Sequence, residues 1–169
     1  ELARRIDYSA AIVKFLNNLG SQAERRGDYV EAEKYFEEAL VVERDRGYDL
    51  RVCFVLGNLG ALKTRTGNFD EAMSCFEEAD QLARKLENYS LLSNTLMNWG
   101  ALMISLGDLV QAEKYLLEGL EIARKIEILD NAAFIMANLG FVYAKLGDYN
   151  QAAAQIRQSL DASYKMEHR

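Results

Sequence analysis

"NLGSQAERRGDYVEAEKYFEEAL", residues 18–40, has three near copies that begin at Asn58, Asn98 and Asn138. On this 40-residue frame Leu19-Gly20, Leu59-Gly60, Trp99-Gly100 and Leu139-Gly140 coincide, and so do Gly27, Gly67, Gly107 and Gly147. Each later glycine is followed by Asp28, Asn68, Asp108 or Asp148, and three residues further on by Glu31, Glu71, Gln111 or Gln151. A left-handed glycine closes one helix, the Asp or Asn side chain accepts from the free amides of the next, and the Glu or Gln reaches back to complete a capping box. The phrase therefore reads as helix stop followed by helix start, four times over.

Downstream of each cap, Tyr29, Ala32, Phe36 and Ala39 match Phe69, Ala72, Phe76 and Ala79, an apolar stripe with helical spacing. The third copy keeps it as Leu109, Ala112, Leu116 and Gly119, the fourth as Tyr149, Ala152, Ile156 and Ser159. Upstream, Leu16, Leu19 and Ala23 match Leu56 and Leu59, then Leu96, Trp99 and Met103, then Met136, Leu139 and Tyr143. Every repeat is a pair of antiparallel helices. Gly20, Gly60, Gly100 and Gly140 lie inside first helices, where glycine costs about 1 kcal/mol relative to alanine. Close approach of the second helix, through Ala32 and its equivalents, is expected to compensate.

The 169 residues, half of them hydrophobic, suffice for one domain with a continuous core. Acidic residues outnumber basic ones 26 to 20, for a net charge of −6, which disfavours DNA or RNA as a partner. The chain has no apolar run long enough to span a membrane and no signal-peptide pattern. Cys53 and Cys75 sit at different phases of the repeat without a CxxC partner, so reduced thiols in a cytoplasmic protein are expected. Proline is absent, as suits helices joined by short turns. The glycine phase also argues against a coiled coil.

Catalytic chemistry is not written here. The single histidine, His168, is the penultimate residue, and no Ser/His/Asp, HExxH or glycine-rich phosphate loop occurs. The carboxylates, such as Glu31, Glu33, Glu37 and Glu38, crowd onto second helices and read as a solvated outer face. No enzymatic activity, cofactor or metal is expected.

The spacings Leu16-x2-Leu19-Gly20 and Ala32-x3-Phe36 resemble the pattern of the tetratricopeptide repeats, over nearly the whole chain. Two features depart from that family: the period is 40, not about 34 residues, and the closing proline is missing. The extra residues lengthen the two helices by about one and a half turns in total. This is similar to the longer-helix variety found in kinesin light chains and bacterial regulatory proteins. The resemblance implies an all-α, right-handed α-solenoid over residues 1–169, with repeats at approximately 9–48, 49–88, 89–128 and 129–168. Residues 1–8, "ELARRIDY", align with "QLARKLEN" from Gln81 and "EIARKIEI" from Glu121, and so are expected to end a preceding repeat of a longer solenoid.

In this family the first helices line a concave surface, and the residue before the Leu-Gly pair points into it. The resemblance thus places Asn18, Asn58, Asn98 and Asn138 in a row, although asparagine is a poor helix former. Helices about 10 Å apart would let adjacent carboxamides meet an extended peptide backbone about every third residue, and a carboxamide both donates and accepts. The other reading is that the same amides tie adjacent first helices together. Lys14, Arg25, Phe54, Arg65, Asn94, Phe134 and Phe141 share this helical face, and the phenylalanines read either as ligand anchors or as core. Lys14, Asn18 and Asn58 resemble part of a carboxylate clamp for chaperone C-termini, but Asn94 and Asn98 stand where that clamp needs Lys and Arg. Trp99 reads as packing.

The expected function is a protein-interaction scaffold that takes a peptide or protein segment in the groove. The alternatives are a sensor segment of a larger bacterial signalling ATPase or transcription regulator, and self-association through exposed solenoid ends.

Overall fold

The computed structural model describes the backbone from residue 2 to 167 and side chains from residue 11 to 165. It contains eight helices and no strand among these residues: α1 (Leu2–Arg25), α2 (Tyr29–Arg46), α3 (Asp49–Thr66), α4 (Phe69–Lys85), α5 (Tyr89–Leu106), α6 (Leu109–Lys125), α7 (Leu129–Leu146) and α8 (Tyr149–Glu167). Odd-numbered helices are the first helices of the repeats and even-numbered ones the second. The chain divides into two compact units, Glu1–Leu82 and Ala83–Arg169, described separately below.

Within each repeat the turn is built as the glycine phase predicts. Gly27, Gly67, Gly107 and Gly147 adopt φ between 80° and 84°. Asp28, Asp108 and Asp148 accept from the amides of Glu31, Gln111 and Gln151. The return arm of the capping box is different. The backbone N–H of Asp28 donates to Ala23 O at 2.9 Å, and those of Asn68, Asp108 and Asp148 donate to the matching carbonyls of Lys63, Met103 and Tyr143. The preceding helix thus already uses the N–H that Glu31 was expected to bind. Glu31 accepts instead from the Tyr35 hydroxyl at 2.9 Å and from Arg26.

Between repeats the chain turns at Gly47 (φ 67°), Glu87 (φ 50°) and Glu127 (φ 58°). The alignment of residues 1–8 with 81–88 and 121–128 expects a similar turn near residue 7, but α1 runs unbroken from Leu2 to Arg25.

The interior glycines do bring each helix pair together, but the facing side chain is not Ala32. A Cβ at Gly20 or Gly60 would lie 2.6 Å from the ring of Phe36 or Phe76, at Gly100 2.6 Å from Leu116, and at Gly140 2.7 Å from Ile156. The side chain that fills the notch is the large residue one turn beyond Ala32 or its equivalent, joined at Gly140 by the backbone carbonyl of Ala152.

In repeats two, three and four a lateral hydrogen bond also joins the helix pair. Cys53 Sγ donates to Ala79 O and Ser93 Oγ to Gly119 O at 3.0 Å. In the fourth repeat the first helix offers Ala133, and Ser159 of the second helix donates in the opposite direction, to Ala133 O at 2.8 Å.

Successive repeats are joined by polar contacts of fixed spacing. In the first unit Lys63 of α3 meets Glu33 of α2 at 2.5 Å and also pairs with Glu71, while Arg44 of α2 meets Glu78 of α4 at 2.6 Å. In the second unit the Tyr143 hydroxyl donates to Glu113 at 2.9 Å, Arg84 meets Glu118 at 2.8 Å and Arg124 donates to Gln158 at 3.0 Å. Besides Lys63, a second buried charge departs from the repeat. Glu43 occupies the phase of Ala83 and Ala123, is fully buried, and is held by Arg46 and Arg51 at 3.4 Å, with Tyr48 stacked against Arg46. A carboxylate removed from water needs such partners.

Candidate functional site

Each unit presents a pair of first helices. In the first unit, Lys14, Asn18, Ser21 and Arg25 follow one helical line along α1, and Phe54, Asn58, Ala61 and Arg65 the same line along α3. Lys14 and Asn18 are exposed, Asn58 is half-buried and Phe54 is exposed. Two of the cations are engaged: Arg25 Nε donates to Ser21 O of its own helix, and Arg65 bridges from α3 to Glu24 of α1 at 3.3 Å.

In the second unit α5 and α7 touch, and the same line carries Asn94, Asn98 and Ala101 on α5 and Phe134, Asn138, Phe141 and Lys145 on α7. The asparagines are half-buried and both phenylalanines are exposed, so neither ring is core. Asn98 Nδ2 donates to Asn94 Oδ1 at 3.1 Å, and the Lys145 ammonium lies 5.3 Å from the centre of the Phe141 ring. α5 carries no Asp, Glu, Lys or Arg, and α7 only Asp130 in its first turn and Lys145 in its last. The face is amide and phenyl with a single cation at one end. In contrast, the face of α1 and α3 is basic.

Among the described residues, no side-chain hydrogen bond ties Asn18, Asn58, Asn98 or Asn138 to another first helix; the one such bond they make, from Asn98, stays within α5. Trp99 packs as expected, stacked on Tyr115 with ring centres 4.5 Å apart. Lys63 is the residue that the sequence reading passed over. It stands at the phase of Ala23, Met103 and Tyr143 and is buried. A lone lysine in an apolar column was the signal, and a carboxylate 30 residues earlier its partner. Burial pulls the Lys63 ammonium down, but the hydrogen bonds to Glu33 and Glu71 outweigh it and leave the pKa raised. Burial, then the bond to Glu113, pushes the Tyr143 phenol up to about 12.

No group of three or more His, Cys, Asp or Glu side chains converges among the described residues, and His168 lies outside them. Burial raises the Cys75 thiol to about 11, and Cys53 is buried. Neither has the exposed, electropositive setting of a reactive cysteine. No helix among the described residues is long and apolar enough to cross a membrane.

The family model described as tetratricopeptide repeat matches residues 12–85 and 91–165. Among solved structures, a Rap protein complexed with competence and sporulation factor aligns with a TM-score of 0.85 at 20% identity, over 92% of this chain and 43% of its own. Aspartyl phosphate phosphatase F from Bacillus subtilis aligns with a TM-score of 0.82 at 17% identity, over 92% and 41%. BtubC (BKLC) from P. vanneervenii aligns with a TM-score of 0.77 at 21% identity, over 92% and 64%. The chain thus spans between two-fifths and two-thirds of these structures, and the likeness is one of fold. No curated protein matches it in sequence.

Proposed function

Since this chain belongs to the tetratricopeptide repeat family, we propose that it is a protein-interaction scaffold whose paired first helices hold a peptide or protein segment, with no reaction of its own. The observation that carries the reading is the face of α5 and α7. Its half-buried asparagines make no hydrogen bond to a neighbouring helix, and two phenylalanines stand in solvent on either side of Asn138. Carboxamides suit a peptide backbone, which donates and accepts in alternation, and exposed aromatic rings are the usual anchors of an interface. The Rap protein's complex with competence and sporulation factor supports a ligand of this kind.

The basic face of α1 and α3, with Lys14, Asn18, Arg25, Phe54, Asn58 and Arg65, serves as a second contact surface and favours acidic segments. A cytoplasmic setting accords with the reduced thiols.

The test compares protein capture from lysate by the parent chain with two folded variants, Asn98→Ala/Asn138→Ala and Phe134→Ala/Phe141→Ala. The reading expects the captured partner to be lost from both while helicity and melting are kept. Equal capture by all three chains would show that this face is not the contact.

A further inference from the structure

On the reading of the α5 and α7 face as a surface that holds a peptide, three of its features fix the chemistry of the segment. The first is a cation whose carboxylate is missing. Arg65 of α3 pairs with Glu24, 41 residues earlier on α1, at 3.3 Å. Lys145 of α7 stands at the same phase as Arg65, but the residue 41 places before it, on α5, is Ile104. The ammonium of Lys145 lies instead 5.3 Å from the centre of the Phe141 ring, a contact that leaves its N–H donors free. Among the two helices the other formal charge is Asp130, at the far end of α7.

The second feature is an oriented pair of amides. The bond from Asn98 Nδ2 to Asn94 Oδ1 leaves Asn98 Oδ1 to accept and Asn94 Nδ2 to donate. These are the complements of the N–H and C=O that a residue of an extended strand turns to one side. They are set along α5, one turn or about 6 Å apart. The third is spacing. Phe141 and Lys145 are also one turn, about 6 Å, apart along α7, and side chains on one side of an extended strand recur about every 6.6 Å. The exposure does not depend on place in the chain: Arg65 and Ser105, at the phase of Lys145, are exposed in repeats that others follow, and Ala61 and Ala101, at the phase of Phe141, are half-buried there.

We propose that this face takes an extended acidic segment laid along the axes of α5 and α7. Its backbone meets the Asn94 and Asn98 amides, an apolar side chain rests on Phe141, and an Asp or Glu two residues away pairs with Lys145. The ligand thereby supplies the carboxylate that Glu24 supplies to Arg65.

Panning a displayed library of random heptapeptides on the chain tests it. Lys145→Glu, Lys145→Arg and Asn98→Ala/Asn138→Ala, each checked for unchanged helicity and melting, serve as parallel baits. Lys145 is exposed, so its variants leave the core intact. The parent is expected to enrich peptides with Asp or Glu two positions from Leu, Ile, Met or Phe. Synthetic copies should bind Lys145→Arg like the parent and Lys145→Glu about fivefold more weakly or worse, and Lys145→Glu should itself enrich Lys or Arg at that position. Peptides that are lost from the asparagine variant but show no acidic preference, or that bind Lys145→Glu as tightly as the parent, overturn this inference and leave the peptide-holding reading in place. A parent that enriches no peptide, or only peptides that the asparagine variant also retains, overturns both.

Discussion

Replacing Gly60 by alanine sets helix propensity against packing. A Cβ at this position would stand 2.6, 2.9 and 3.0 Å from three ring atoms of Phe76. Ordinary carbon contacts are about 3.5–4.0 Å, so the ring must retreat by about 1 Å. Phe76 is fully buried and has no solvent side to move into. Overpacking of this kind costs about 1–3 kcal/mol, and a ring without room belongs near the upper end. Alanine in place of glycine inside a helix offsets about 1 kcal/mol of that. The net expectation is a loss of about 2 kcal/mol, or a fall of about 4–8 °C in Tm for a chain of this size. Urea and thermal unfolding followed by circular dichroism measure it. The same substitution in a Phe76→Ala background, where the notch is empty, is expected to stabilise by about 1 kcal/mol. The reversal of sign is the test: if Gly60→Ala has the same effect in both backgrounds, the glycine is not there to admit the ring.

Three further outcomes follow from other features. Glu87→Gly and Glu127→Gly relieve a left-handed backbone and should each raise stability by about 1 kcal/mol, while Gly47→Ala at the same phase lowers it by a similar amount, read from the same unfolding curves. Tyr143 has a raised folded pKa, so its contribution is complete below the unfolded tyrosine value of about 10 and is lost as pH rises toward about 12. Stability measured across that window should fall in the parent and fall less in Tyr143→Phe, and ultraviolet titration should show a late-ionising tyrosine that is lost in Tyr143→Phe. Cys75, with its thiol at about 11, and buried Cys53 should react with a thiol reagent at pH 8 more slowly than a free cysteine by about tenfold or more, and at the free rate once urea is added.

The helix pairs were legible because they rest on short-range chemistry: a left-handed glycine, an Asp or Asn beside it, and an apolar stripe, all within one 40-residue phrase. Where two local rules compete for one atom, the phrase did not decide. The amide of Asp28 serves both the end of α1 and the capping box of α2, and the geometry of the preceding turn takes it. Pattern likewise reports that the notch at Gly20 must be filled but not by which residue, since Ala32 and Phe36 lie on one face, and reach selects the phenylalanine. The placement of the candidate residues was legible in outline. Phase alone put Asn138, Phe134 and Phe141 on one line of α7, but whether a ring on that line is core depends on what the adjoining helix covers. Arg65 and Arg25 were read as cations of the groove face; Glu24 and the Ser21 carbonyl engage them, through contacts that no periodicity encodes.

The lateral hydrogen bond between paired helices bears on whether these repeats are interchangeable cassettes. Repeats two and three place the hydroxyl or thiol on the odd helix and the bare carbonyl on the even one, whereas repeat four reverses the assignment. Each pairing works because one partner brings the proton and the other does not. A chimera that joined α5 to α8 would bring Ser93 and Ser159 together, two donors at one joint. One that joined α7 to α6 would bring Ala133 and Gly119 and leave none. Recombination within these three repeats is thus constrained by polarity: a crossover in the turn keeps a donor facing a carbonyl between repeats two and three, and loses that match where either of them is joined to repeat four.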